Sequence, residues 1–300
     1  MIVLLSWLSR DGKLLLAART IRTFAYGFLS IILAIYLKLI GFSEFYIGLI
    51  LTASLVNSII LTLIASFYAD RIGRRKVLIM YSTLMSLSGA IFFITSNYVT
   101  LILSALIGTV NVTGTETGAF LSIEQATLPQ TINDHKKRNM LYALYNMVGT
   151  FAMSAGILLS GLPQIFAQQY GFNQIESIKP LFLLYSLIGL VITGVYYLLS
   201  KKVEADVYAK ANNGNVDQNI PKPLKHTLSP NSKEIVTKLS GLFAIDSFAG
   251  GFVIQSIVSF WFYTKFEGIQ LTTLSYIFQL LAFSLHCRFL YLQRLQTKLV

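Results

Sequence analysis

Four ionisable side chains lie inside long apolar runs, where a charge is expensive: Arg22, Glu116, Glu124 and Asp246. A charged group in such a run marks a pathway, a relay or a gate by default, because hydrocarbon offers it no water. Glu116 sits in Asn111-Val-Thr-Gly-Thr-Glu-Thr-Gly118, a stretch crowded with small and polar residues. It is a candidate to carry a coupling proton, although its Asn and Thr neighbours could equally satisfy it as a neutral acid. Glu124, in Ser122-Ile-Glu-Gln-Ala-Thr-Leu-Pro129, is placed to pair with Arg19 or Arg22. Arg19 reads as an interface anchor whose stem snorkels, and the same reading stands open for Arg22. The short side chain of Asp246 cannot snorkel far, which favours a role in function. A second cluster, the charged residues Asp70, Arg71, Arg74 and Arg75 with Gly73 among them, falls between two apolar runs.

The elements that must hold these groups follow from composition. Of 300 residues, 54% are hydrophobic and 12% charged, and the mean hydropathy is +0.63. Soluble domains carry about a quarter charged residues, so the main solvent of this chain is lipid. A helix needs roughly 20 apolar residues to cross the hydrocarbon core. Runs meeting that test cover residues 14–40, 45–68, 77–95, 99–128, 140–166, 181–199, 239–264 and 271–290. The expected fold is an all-α transmembrane bundle of about eight spans.

The net charge of +11 could suggest nucleic acid, but no basic face with interleaved aromatics stands outside the apolar runs. The basic residues cluster instead in the loops after the second and fourth runs and in the polar stretch after the sixth. Connections after odd-numbered runs hold few charges. Every basic loop therefore falls on one side, with Arg10 and Lys13, which predicts a cytoplasmic N-terminus. Cys287 is the only cysteine, and His135, His226 and His286 are far apart in sequence. No metal or cofactor is expected, and an enzyme is not, since no nucleophile–base pair or ligand cluster is evident.

Residues 201–238 form the one composition shift, rich in Asn and Lys and carrying Pro221, Pro223 and Pro230. They divide the chain into a six-helix part (1–200), a cytoplasmic linker (201–238) and a further membrane part (239–300). A weak repeat supports the division. A shift of 224 residues lays Ile21, Phe24, Ala25, Gly27 and Phe28 on Ile245, Phe248, Ala249, Gly251 and Phe252. Arg22 and Asp246 then occupy equivalent positions with opposite charge.

The run Ser66-Phe-Tyr-Ala-Asp70-Arg71-Ile-Gly73-Arg74-Arg75-Lys76-Val-Leu78 resembles the signature between the second and third helices of the major facilitator superfamily. It matches in the Asp, the following Arg, the Gly, the basic pair and the downstream Leu, and departs in having Ser66 where the family usually has Gly. Asp70 at a helix end can accept charge-assisted hydrogen bonds from Arg74 or from backbone N–H groups of a neighbouring helix, and Gly73 allows the tight turn between adjoining spans. The resemblance implies two six-helix halves around a central cavity, alternating access, and a cytoplasmic latch made by this loop.

On that plan the chain supplies one complete half and the first two helices of the second. The signature expected again after the eighth run is absent, which suggests a truncated member, and a non-transporting remnant is the alternative to a transporter. The resemblance implies that the first, fourth and seventh helices line the cavity, so Arg22 and Asp246 could face each other as a gate or substrate-recognition pair. Two family patterns are missing: Ala105-Leu-Ile-Gly108 has no arginine, and the fifth run lacks a Gly-Pro pair. Both argue against a proton-driven drug antiporter. Gly149, Ala152, Gly156 and Ser160 instead form a small-residue stripe suited to close helix packing. The expected role is secondary transport of a small solute in the cell membrane, with lipids as neighbours, a coupling proton as a candidate partner and no nucleic acid.

Overall fold

Helix α1 (Arg10–Leu39) runs through the middle of the bundle, and all of residues 25–37 are buried. Ser9 caps it by accepting the Gly12 N–H at 3.2 Å, while Asp11 in the first turn and Lys38 in the last complement its dipole. The computed structural model describes residues 7–116, 118–132, 137–204, 230–266 and 268–284. Around α1 stand α2 (Glu44–Ile72), α3 (Arg74–Ile94), α4 (Tyr98–Ile107), α5 (Ala119–Thr127), α6 (Arg138–Leu159), α7 (Leu162–Tyr170) and α8 (Gln174–Tyr197). After the linker come α9 (Pro230–Gly251) and α10 (Gln255–Lys265), then α11 (Leu271–Ser284). Among the described residues six helical stretches are long and apolar enough to cross a membrane, and α4 and α11 are shorter apolar helices.

Helices α6, α8 and α10 pack directly on α1, and α3 packs along α8. Small residues set these crossings. A Cβ on Gly27 would strike the Met153 carbonyl, and one on Gly156 would strike the Phe24 carbonyl, so α1 and α6 touch backbone to backbone. Gly156 belongs to the stripe read from the sequence, and Ala152 and Ser160 beside it are also buried. Gly89 and Gly189 do the same for α3 and α8, where the Ser86 and Ser186 hydroxyls meet at 3.2 Å. The outward face of α2 exposes Phe45, Leu49, Ile59, Ile60, Leu63 and Phe67, as a lipid-facing surface requires.

The fourth apolar run is not the continuous helix expected over residues 99–128. It is broken between α4 and α5, and residues 108–118 are not helical among those described. The cause is local. This stretch holds three glycines and four threonines, all poor helix formers. Gly114 and Gly118 adopt φ of +74° and +108°. Asn111 stabilises the alternative conformation: its Oδ1 accepts the Thr113 N–H at 3.0 Å and its Nδ2 donates to the Thr115 carbonyl at 2.8 Å. Asn57 of α2 donates to the Gly108 carbonyl that the helix leaves free. Non-helical backbone at membrane depth is tolerated only where such partners exist.

One end of the bundle collects the basic loops. There Ser9 donates its N–H to the Thr131 carbonyl at 3.1 Å, and Asp11 accepts from the Ser200 N–H at 3.0 Å. Residues 205–229 of the expected linker lie outside the described ones, and α9 begins at Pro230, inside the span assigned to the linker. Proline fits the first turn of a helix because its missing N–H would be unpaired there. Residues 233–253 are exposed. The expected position of a second loop signature, after residue 284, lies outside the described residues.

Candidate functional site

The i, i+3 spacing of Arg19 and Arg22 puts both guanidinium groups on one face of α1. That face meets Glu116 in the non-helical stretch, Glu124 on α5, Tyr145 on α6 and Tyr196 on α8. Arg22 Nη2 pairs with Glu124 Oε2 at 2.6 Å and its Nη1 with Oε1 at 3.1 Å. Its Nε reaches Glu116 Oε1 at 2.5 Å. Arg19 forms an ion pair with the other oxygen of Glu116. Two cations and two anions thus form one neutral cluster, with Arg22 and Glu124 fully buried, Arg19 5% exposed and Glu116 9% exposed.

Tyrosines complete it. Tyr196 OH accepts from Arg22 Nη1 at 2.5 Å and donates to Glu124 Oε1 at 2.7 Å. Tyr145 OH donates to Glu124 Oε2 at 2.5 Å and accepts from Arg19 Nη1 at 3.4 Å. The Arg19 guanidinium lies 4.3 Å from the Tyr145 ring centre and that of Arg22 lies 4.4 Å from Phe120, adding cation–π attraction in a desolvated setting. Gly149 makes room for Arg19, since a Cβ there would meet the guanidinium. A small cavity of about 40 Å³ of mixed polar and apolar lining, with Ser54, Asn57 and Asn111 beside Leu55, Leu61 and Phe120, abuts the non-helical stretch. That volume admits a few waters.

The structure therefore brings together Arg22, Glu116 and Glu124. It does not bring Asp246 to them: Asp246 is exposed on α9, while Arg22 spends Nε, Nη1 and Nη2 on Glu116, Glu124 and Tyr196. The pairing of Glu124 with Arg22 agrees with the sequence reading. Arg19 differs from it, being buried in the cluster instead of anchored at an interface, because Glu116 and Tyr145 supply its partners. The Arg19–Arg22 spacing was the available signal for that. Nothing local marked Tyr145 and Tyr196, which come from distant helices. Among the described residues no group of three or more His, Cys, Asp or Glu is placed to hold a metal.

The loop signature forms a second site at the end where the basic loops gather. Arg74 Nε donates to Asp70 Oδ1 at 2.7 Å, as expected for this pair. Gly73 sits at φ +108°, and Arg71 is exposed. Sequence reasoning missed Glu204, whose carboxylate accepts the Arg74 N–H at 2.6 Å, at the N-terminus of α3 where the helix dipole favours an anion. Arg74 Nη1 also donates to the Ala126 carbonyl at 3.4 Å, and Arg75 Nη2 to the Tyr197 carbonyl at 2.5 Å. One loop thus ties α2 and α3 to the ends of α5 and α8 and to the residues that follow α8.

Comparison with known proteins agrees with this architecture. The chain is 29% identical over 293 residues to an uncharacterized membrane protein of Saccharomyces cerevisiae, YJR124C. The match covers 91% of this chain and 65% of that protein, so the chain spans just under two thirds of its relative's length. The family model described as Major Facilitator Superfamily matches residues 15–299. Bundle, loop signature and match together make this chain a member of the major facilitator superfamily.

Proposed function

We propose that the chain serves secondary active transport of a small solute by alternating access, with Arg19, Arg22, Glu116 and Glu124 as its coupling centre. The observation that carries this reading is the asymmetry of the buried cluster. Arg22 and Glu124 are held between helices α1 and α5 and by two tyrosines, whereas Glu116 hangs on non-helical backbone. A proton arriving on Glu116 removes one negative charge from a neutral desolvated cluster, and the two arginines then repel each other without their shared counter-ion. Such a cluster has two arrangements, one for each charge state, as proton-coupled exchange between conformations needs. The loop from Asp70 to Arg75 acts as a latch on the cytoplasmic side, and Asp246 is a candidate gating carboxylate in the second half.

On this reading the N-terminus is cytoplasmic and the protein resides in the cell membrane. Reconstituted vesicles carrying a pH dye and challenged with a panel of solutes test it. The expected result is solute-dependent proton movement that Glu116→Gln abolishes. Solute flux unaffected by that substitution would remove the cluster from coupling. A second reading, a chain that does not itself transport, is favoured by the exposure of residues 233–251 on α9. It predicts no protein-dependent flux at any pH.

A further inference from the structure

The non-helical stretch of the fourth span is gripped from two sides. At Glu116 it is clasped by Arg19 and Arg22. Four residues earlier, the Val112 carbonyl accepts the backbone N–H of Ser256 at 3.2 Å, in the first turn of α10. Ser256 is fully buried, and its hydroxyl donates to the Ser30 carbonyl of α1 at 2.7 Å. Ser259, one turn on, donates to the Ile31 carbonyl at 3.4 Å. Gly114 lies against the Gln255 side chain, so that any Cβ there would collide with it. Between the two grips, Asn111 binds both the Thr113 N–H and the Thr115 carbonyl. Those bonds weld residues 111–115 into one rigid turn with little slack to absorb a movement at either end.

We propose that Ser256 is a positioning residue for Glu116: it ties the rigid turn to α10, so that release of Glu116 from its arginines and displacement of α10 are a single event. The proposal rests on the reading of Glu116 as the coupling carboxylate. The charged and titratable groups facing Glu116 are Arg19 and Arg22 of α1, Glu124 of α5, Tyr145 of α6 and Tyr196 of α8; the first turn of α10 contributes no acidic residue. Movement of α10 is therefore driven through backbone contact and not through its own charge. By the same logic, the break between α9 and α10 and the break between α4 and α5 work as one joint linking the two halves of the chain.

The test is a distance measurement on the full chain in nanodiscs. Cys287 is replaced by Ser, and spin labels are placed on exposed Leu187 of α8 and Ile257 of α10. The parent should give a narrow distance distribution, and Glu116→Gln should shift or broaden it by several ångströms. Ser256→Pro removes the N–H that Val112 accepts, at a place in the first helical turn where proline is tolerated. It should yield the broad distribution by itself and leave Glu116→Gln without further effect. Ser256→Ala keeps the N–H and should retain the response. Gly114→Ala, which drives a methyl into Gln255, is the second disrupting variant and should match Ser256→Pro. An unchanged distribution in Glu116→Gln, or a full response to it in the Ser256→Pro and Gly114→Ala backgrounds, overturns the proposal. The distances are read without solute, so an absence of flux in vesicles would sink the transport reading and leave this one standing. Intact proton coupling with an unresponsive distance would do the reverse.

Discussion

Arg22 on α1 and Glu124 on α5 meet through two parallel contacts, 2.6 Å and 3.1 Å long, and neither residue has any exposed surface. Such a pair contributes little net stability beside a well-packed apolar pair, because both ions have left water, yet breaking it strands a charge. Glu124→Leu or Arg22→Met alone should therefore destabilise the protein by about 3–5 kcal/mol, whereas the double variant Arg22→Met with Glu124→Leu should recover most of that loss. Thermal unfolding in detergent, arranged as a double-mutant cycle, reads the coupling. Additive losses would mean that the two residues do not depend on each other.

The loop pair Asp70–Arg74 is the opposite case. The Asp70 side chain is 60% exposed, and an exposed i, i+4 pair stabilises by less than about 1 kcal/mol. Asp70→Ala should leave the melting temperature nearly unchanged while impairing the cycle. Normal turnover in vesicles would reduce the loop to a topology signal.

Gly73 joins the same loop with a conformational demand. Its φ of +108° with ψ of 122° suits glycine alone, and a Cβ would lie 3.0 Å from the Glu204 carboxylate. Gly73→Ala should cost about 1–3 kcal/mol of strain and should loosen Glu204 from the Arg74 N–H. Hydrogen exchange at Arg74 measures the second effect, and unchanged protection there would dissociate Glu204 from the loop.

Much of this was legible beforehand because lipid leaves few choices. Apolar length marked the membrane runs, loop charge marked their ends, and Asp70, Gly73 and Arg74 carried the family resemblance and their own local geometry. That Glu124 pairs with an arginine of the first span was readable too, although the choice of Arg22 over Arg19 was left to the structure. The break at residues 108–118 was hidden by averaging: Val110, Val112 and the surrounding apolar residues kept the run hydrophobic, although its glycines and threonines opposed a helix. Arg19 was misread because snorkelling was weighed against solvent alone, without the Glu116 that the break brings to it. Tyr196 reaches Glu124 and Glu204 reaches Arg74 across more than 70 residues of sequence, Tyr145 reaches Arg19 across 126, and no local pattern records such contacts.

Glycine position decides a further outcome on the helices. Gly27→Ala places a methyl on the Met153 backbone, and overpacking of this kind costs roughly 1–3 kcal/mol. Gly194 lies on an exposed face of α8 with nothing within 4 Å of a new Cβ, so Gly194→Ala should be neutral or stabilise by up to about 1 kcal/mol. Opposite shifts of the melting temperature are expected from the same chemical change. Equal shifts would mean that α1 and α6 are not in backbone contact.

Asn111 offers the sharpest test of the broken span. Its side chain supplies the two hydrogen bonds that replace helical ones in the 111–115 turn, and no other side chain is placed to give both. Asn111→Leu keeps the volume and the apolar surroundings but leaves the Thr113 N–H without its acceptor and the Thr115 carbonyl with the Thr113 hydroxyl alone, at a cost of about 0.5–1.5 kcal/mol for each hydrogen bond lost. The stretch then has two outcomes: it coils into helix and carries Glu116 round the axis, or it loosens. Either removes the carboxylate from between Arg19 and Arg22, so Asn111→Leu should reproduce the loss of stability of Glu116→Gln and add nothing to it in the double variant. Hydrogen exchange over residues 109–116 distinguishes the two, rising if the turn loosens and falling if it becomes helical. Exchange and stability both at parental values would show that the turn is set by Gly114 and Gly118, with Asn111 a bystander.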